Sequence, residues 1–248
     1  MSDDILPKRD IFSSCKLPTN LDASVWRYMD IPKFKYLLEK KAFYLRRADL
    51  LQDKFEGTFS RQEITDMNNW LIKIGYEQVV HTEETDRRKI RQQTYISSWC
   101  IAASDFDLMW KAYIRNPPGI AIKSSVRRLQ SVCDKAIDCW PLDLTLITYY
   151  DQAGGENIIS SDRLTRFCYK DNHFHLDNEI RIIHWPNILL PSPDYVDLPV
   201  ALDDVIVSVV MSPGADDKHM IEIKTMMDKL HLGDIPLEYS RDDRAVAD

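Results

Sequence analysis

Two hydrophobic periods are interleaved along this chain without an even rhythm, and that limits what it can fold into. Short alternating or continuous apolar runs predict strands at Val25–Met29, Ala42–Leu45, Thr94–Cys100, Ile120–Lys123, Leu144–Tyr150, Glu179–Trp185 and Val205–Met211. Between them, apolar residues recur at helical spacing: Phe34, Leu37 and Leu38, then Ile64, Met67, Leu71 and Ile74. The same spacing returns in Phe106, Met109, Trp110 and Tyr113, in Val126, Leu129, Cys133, Ala136 and Ile137, and in Met220, Ile223, Met227 and Leu230. A doubly wound parallel sheet needs regular strand–helix alternation, which is missing. The pattern predicts an α+β fold, a single mixed domain with a central, largely antiparallel sheet and flanking helices.

Punctuation supports these elements. Pro32 sits in a first helical turn, where its missing N–H costs little. Ser60 with Glu63 reads as a capping box and Gly75 as a C-cap. Asn116-Pro117-Pro118-Gly119 stops a helix, and the proline-rich stretch Pro186–Pro199 reads as a loop. His81–Gln92 is highly charged, an exposed helix or a lid, and Ile235–Tyr239 reads as an edge strand. Residues 1–22 read as a flexible N-terminal arm, 23–240 as the domain and 241–248 as a disordered tail. At roughly 150 residues per domain, a chain of 248 residues admits one domain or two. No composition break divides it, which favours one.

Composition excludes several function classes. Only 7 glycines occur in 248 residues, and no Gly-rich phosphate loop, H-E-x-x-H or nucleophile elbow is present. Any nucleotide would have to be held by side chains. Lys+Arg 32 against Asp+Glu 39 gives 32 − 39 = −7, which argues against a general nucleic-acid coat. The basic cluster Arg87, Arg88, Lys89 and Arg91 reads as a solvated helix face. Cys15, Cys100, Cys133, Cys139 and Cys168 form an odd set without a C-x-x-C pair, as in reduced cytoplasmic proteins. No apolar run approaches the ~20 residues that span a bilayer, and no signal peptide opens the chain.

Four constellations could carry chemistry. Arg27 and Tyr28 point to opposite faces of one strand, and an Arg between Trp26 and Tyr28 needs a carboxylate or a ligand anion. Asp53 and Glu56 could bind a metal or orient a hydroxyl, although the same residues suit a plain turn. Lys170, His173, His175, Asp177, Glu179 and Arg181 cluster late in the chain. There Glu179, Arg181 and Ile183 share one strand face, either as a structural ion pair or as a catalytic group. His173 and His175 lack a convincing third metal ligand, and no metal is expected. Trp99, Trp110 and Tyr113 read as core or as a platform for a ring.

In order and spacing these segments resemble the prokaryotic family catalogued as domain of unknown function 2971. The residues that carry the resemblance are Trp26-Arg27-Tyr28-Met29, Ala48-Asp49-Leu50-Leu51, Asp53, Phe55-Glu56-Gly57, Ser98-Trp99-Cys100, Met109-Trp110-Lys111-Ala112-Tyr113, Gly119-Ile120-Ala121-Ile122, Tyr169-Lys170, Glu179-Ile180-Arg181 and Val209-Val210-Met211-Ser212-Pro213. Lys54 stands where that family usually has Pro. The resemblance implies a role in anti-phage defence or a toxin–antitoxin pair, with a protein partner. Arg27, Ser97-Ser98 and Asp177-Asn178-Glu179 also resemble the three-part layout of ADP-ribosyltransferases, with Asp177 where those enzymes usually carry Glu or Gln. That likeness implies NAD as cofactor, held by Arg27, with Tyr28, Trp99 or Tyr113 against a ring and Glu179 as the catalytic carboxylate. It requires Arg27 and Glu179 to line one cleft. Two alternatives are a non-enzymatic module binding a nucleotide, small molecule or partner, and a metal-dependent nuclease using Asp53, Glu56 and Glu179.

Overall fold

A computed structural model describes residues 16–53, 57–58, 61–75, 83–136, 138–151, 165–186 and 192–240. The first half runs β1 (Ser24–Asp30), α1 (Ile31–Lys40), β2 (Ala42–Arg47), α2 (Arg61–Lys73), α3 (Glu83–Gln92), β3 (Tyr95–Ile101), α4 (Asp107–Tyr113), β4 (Gly119–Ser125) and α5 (Val126–Ala136). The second half runs β5 (Leu142–Leu146), β6 (Thr148–Tyr150), β7 (Tyr169–Asp171), β8 (Glu179–His184), β9 (Tyr195–Pro199), α6 (Leu202–Val205), β10 (Ser208–Met211), α7 (Asp217–Lys229) and β11 (Leu237–Tyr239). The result is a single α+β domain with a mixed, mostly antiparallel central sheet flanked by helices. No helix among the described residues is long and apolar enough to cross a membrane.

The sheet is ordered β11-β10-β4-β1-β3-β2-β9, with β8 against β3 and β5 against β8. Only β10 and β11 run parallel within it. Alternation along β1 sends Val25 and Met29 to one face, where α1, α5 and α7 close the main core through Phe34, Leu38, Leu129 and Ile223. Trp26 and Tyr28 go to the other face and pack under α4 with Cys100, Met109, Trp110, Ala121 and Val210.

The register also forks the sheet. β8 pairs with β3 along one whole edge, from Tyr95↔His184 to Cys100↔Glu179. The other edge is shared, with β1 meeting it at Cys100 and Ile101 and β2 at Tyr95 and Ile96. Ser97, Ser98 and Trp99 therefore lie between two strands that have separated.

Several expectations are corrected. Pro186–Pro199 is not all loop: Tyr195–Pro199 forms edge strand β9 on β2. Pro at the end of an edge strand removes no ladder bond that the sheet needs, so proline content concealed it. The run Leu144–Tyr150 divides between the main sheet and a small parallel β6–β7 pair. Val205–Met211 begins as helix α6 and becomes strand only at Ser208. Residues 16–22, read as part of a loose arm, are tied down: Lys16 O accepts from Leu146 N at 2.7 Å and Leu21 O from Arg127 N at 2.7 Å. The charged stretch after His81 is helical from Glu83, and Ile90 anchors it in a small cluster with Ala48, Ile96 and Phe167.

Candidate functional site

At the mouth of the fork, Arg27 reaches from β1 to β2, where its Nη2 donates to Tyr44 O at 2.8 Å. The guanidinium lies 6.0 Å from the Phe43 ring centroid and 5.8 Å from that of Trp99. Nη1 is shielded from solvent and has no hydrogen-bond partner. Desolvation, with no carboxylate to offset it, pushes the group down from its usual range to about 10. Arg27 stays charged at neutral pH, a cation whose counter-charge the described residues do not supply.

The second grouping is on the opposite face. β8 opens with Glu179, only 4% exposed, whose Oε1 accepts from Lys170 Nζ at 2.6 Å and whose Oε2 accepts from Arg181 Nε at 2.6 Å. Lys170 also donates to Asp177 Oδ2 at 2.7 Å and lies 4.3 Å from the Phe174 centroid, while Arg181 Nη1 donates to Phe167 O at 3.1 Å. The backbone N–H of Glu179 donates to Tyr149 Oη at 2.9 Å. Burial alone would raise the Glu179 carboxyl, but the charges of Arg181 and Lys170 outweigh it and hold the group at about 2. Burial pushes Asp177 up instead, against the pull of Lys170. Two carboxylates around one ammonium are thus driven apart in acidity.

Aromatic residues adjoin this cluster. The Tyr28 and Tyr113 rings lie 6.4 Å apart at 22°, and Tyr28 meets Trp110 edge-on at 4.8 Å. Burial, then the charges of Glu179 and Asp177, push the Tyr113 phenol up. Tyr113 as a residue is 39% exposed. The Cys100 thiol, directly paired with Glu179 across β3–β8, is pushed up to about 12 by burial and the same two acids.

The sequence therefore placed its candidates in two groups that the fold keeps apart. Trp26, Cys100 and Glu179 are in cross-strand register and share a face, so Arg27, next to Trp26, faces the other way. The single cleft that the transferase likeness requires, with Arg27 and Glu179 together, is not what this register gives. Lys170, Arg181 and Glu179 do meet, and on the same face Tyr28 stacks on Tyr113. Trp99 does not offer a platform: it is 1% exposed, packs against Phe43 at 5.3 Å and donates from Nε1 to Ser97 Oγ.

Asp53 accepts from Arg91 through its backbone carbonyl at 3.5 Å, while Glu56 lies outside the described residues. Among the described residues no three His, Cys, Asp or Glu side chains come together as a metal site. His173 Nδ1 pairs with Asp171, and His175 Nδ1 meets Asn172 O at 2.8 Å. Sequence reading passed over Tyr149 and Cys100, because their proximity to Glu179 is created by strand pairing across tens of residues. No protein-family model matches the chain, and neither a curated protein nor a solved structure does.

Proposed function

We propose that this chain is a binding module for a nucleotide or similar small phosphate-bearing molecule, with Arg27 at the sheet fork as the anion anchor. The observation that carries the reading is the unpaired guanidinium. An isolated buried charge costs several kcal/mol, and folded proteins retain such groups mainly where a partner arrives. Arg suits a phosphate because its planar fork offers two parallel N–H donors. The scarcity of glycine fits recognition by a side chain instead of a backbone cradle.

Binding is favoured over turnover because Glu179 is sealed between Lys170 and Arg181 and faces away from Arg27. Its charge is already neutralised, which leaves little to stabilise an oxocarbenium-like centre. NAD is the first dinucleotide to test, since its diphosphate offers Arg27 the anion that the reading requires.

Thermal unfolding with NAD, ADP, ATP and inorganic phosphate tests this. A ligand at 100 times its Kd stabilises by about 2.7 kcal/mol. Arg27→Met is expected to melt higher than wild type without ligand, because an uncompensated cation is removed, and to lose the ligand-dependent shift. No shift with any phosphate-bearing ligand, or an unchanged shift in Arg27→Met, overturns the proposal. Release of nicotinamide from NAD, abolished by Glu179→Gln, would replace it with the transferase reading.

A further inference from the structure

Away from the fork's charged groups, the β2–β9 margin carries three tyrosines and one acid that no role considered above uses. Tyr44 and Tyr195 stack with centroids 4.6 Å apart at 23°. Tyr36, from α1, stands nearly perpendicular to both, at 6.3 Å and 81° from Tyr44 and at 6.5 Å and 80° from Tyr195. Asp197 is directly opposite Tyr44 in the ladder, and its Oδ2 accepts from Tyr36 Oη at 2.7 Å. Its Oδ1 is shielded from solvent and has no hydrogen-bond partner, and Asp197 forms no ion pair among the described residues.

We propose that Tyr36, Tyr44, Tyr195 and Asp197 form a site for an organic cation bearing N–H donors, a protonated amine or a guanidinium. Tyrosine ring faces are electron-rich, and the rings gathered at this corner attract positive charge where a face is presented. The free Asp197 oxygen requires a donor in addition to a charge, and that distinguishes an amine or guanidinium from a quaternary ammonium. The surface already draws a cation: Lys40 Nζ lies 5.8 Å from the Tyr36 centroid, yet it makes no ion pair with Asp197. The neighbouring Arg46 turns its Nε to Leu50 O at 2.9 Å and makes no ion pair with Asp197 among the described residues. The corner lies at the margin of the sheet, where β9 ends the strand order and Tyr195 is 41% exposed; the shielded Asp197 oxygen is reached by a shift of the exposed Tyr195 ring.

The site is independent of the anion anchor. Arg27 touches Tyr44 only through the backbone carbonyl, so Arg27→Met leaves the cation site intact.

Isothermal titration calorimetry of the full chain tests the proposal with agmatine, tetramethylammonium and a short peptide carrying one arginine. Agmatine is expected to bind at least tenfold more tightly than tetramethylammonium, and Asp197→Asn to lose at least tenfold in agmatine affinity. Tyr195→Leu leaves the Tyr36–Asp197 bond in place and is expected to lose affinity as well, which covers the case of an Asp197 variant that fails to fold. A peptide that binds at least tenfold more tightly than agmatine assigns the site to an arginine of a protein partner. Equal or weaker peptide binding assigns it to a free amine. No agmatine binding at millimolar concentration, equal binding of tetramethylammonium, or wild-type affinity in both variants overturns the proposal.

Discussion

Replacing Glu179 with Gln separates a structural carboxylate from a catalytic one. The substitution keeps size and shape but leaves the two cations that Glu179 neutralises without its charge. Against the effect of burial, the charges of Arg181 and Lys170 hold the Glu179 carboxyl well below its ordinary 4.5. Removing one member of a buried ion network costs about 3–5 kcal/mol, and the lower end, about 3 kcal/mol, applies here because Lys170 keeps Asp177 as a partner. For a chain of this size, 3 kcal/mol lowers the melting temperature by about 6–12 °C. The sign with pH follows from the downward shift. The contribution is fully present above the unfolded value near 4.5 and is lost as pH falls through the folded value near 2. Urea unfolding of wild type and Glu179→Gln, run from pH 7 to pH 2, should show a gap of about 3 kcal/mol that closes between pH 4.5 and 2. Asp177 is raised by burial and by the charge of Glu179, so in Glu179→Gln its pKa falls back toward the ordinary range and its titration moves with the substitution. A variant that unfolds at the wild-type urea concentration at pH 7 would refute the assignment of Glu179 to the scaffold.

Other outcomes follow from single features. Gly57 has φ +67°, and a Cβ there would lie 2.1 Å from Cε1 of the fully buried Phe167. Gly57→Ala should therefore cost more than about 2 kcal/mol, combining left-handed strain of about 1–2 kcal/mol with the overlap; an unchanged melting temperature would show that the turn can shift. Of the four described cysteines, Cys139 is exposed and Cys100, Cys133 and Cys168 are buried. Burial pushes the Cys100 and Cys133 thiols up to about 12. Brief alkylation of native protein at pH 8, read by mass spectrometry of peptides, should modify Cys139 well ahead of those three, and rapid modification of Cys100 would contradict its place under α4. Arg27→Met adds a third check, because its expected rise in ligand-free melting temperature reports the unpaired charge without any ligand.

Much of the fold could be read locally. Phe34, Leu37 and Leu38 lie on the buried side of α1, and Leu129 and Cys133 on that of α5, as helical spacing requires. The Glu179–Arg181 pair was also legible, because residues two apart on a strand share a face and opposite charges there meet. Less was visible where chain order and spatial order part. Lys170 joins that pair only because β7 and the turn Asn172–Asp177 bring it back beside β8. The tyrosine cluster joins residues from α1, β2 and β9 that lie more than 150 positions apart at their extremes, and no local pattern announces such a meeting.

By itself the sequence determined the kinds of element, the α+β class, the absence of a glycine phosphate cradle and the opposition of Arg27 to Tyr28 across their strand. Tertiary structure alone decided which of those two residues shares a face with Glu179. That outcome depends on the pairing Trp26↔Cys100↔Glu179 across three strands. Because side chains alternate with a period of two, a slip of one residue at either ladder would have put Arg27 on the same face as Glu179. The fork at Ser97–Trp99 has the same origin: β1 and β2 compete for one edge of β3, and their registers leave three residues between them. Periodicity fixes which residues face together along a strand, but the packing of the whole sheet fixes which strands meet and where.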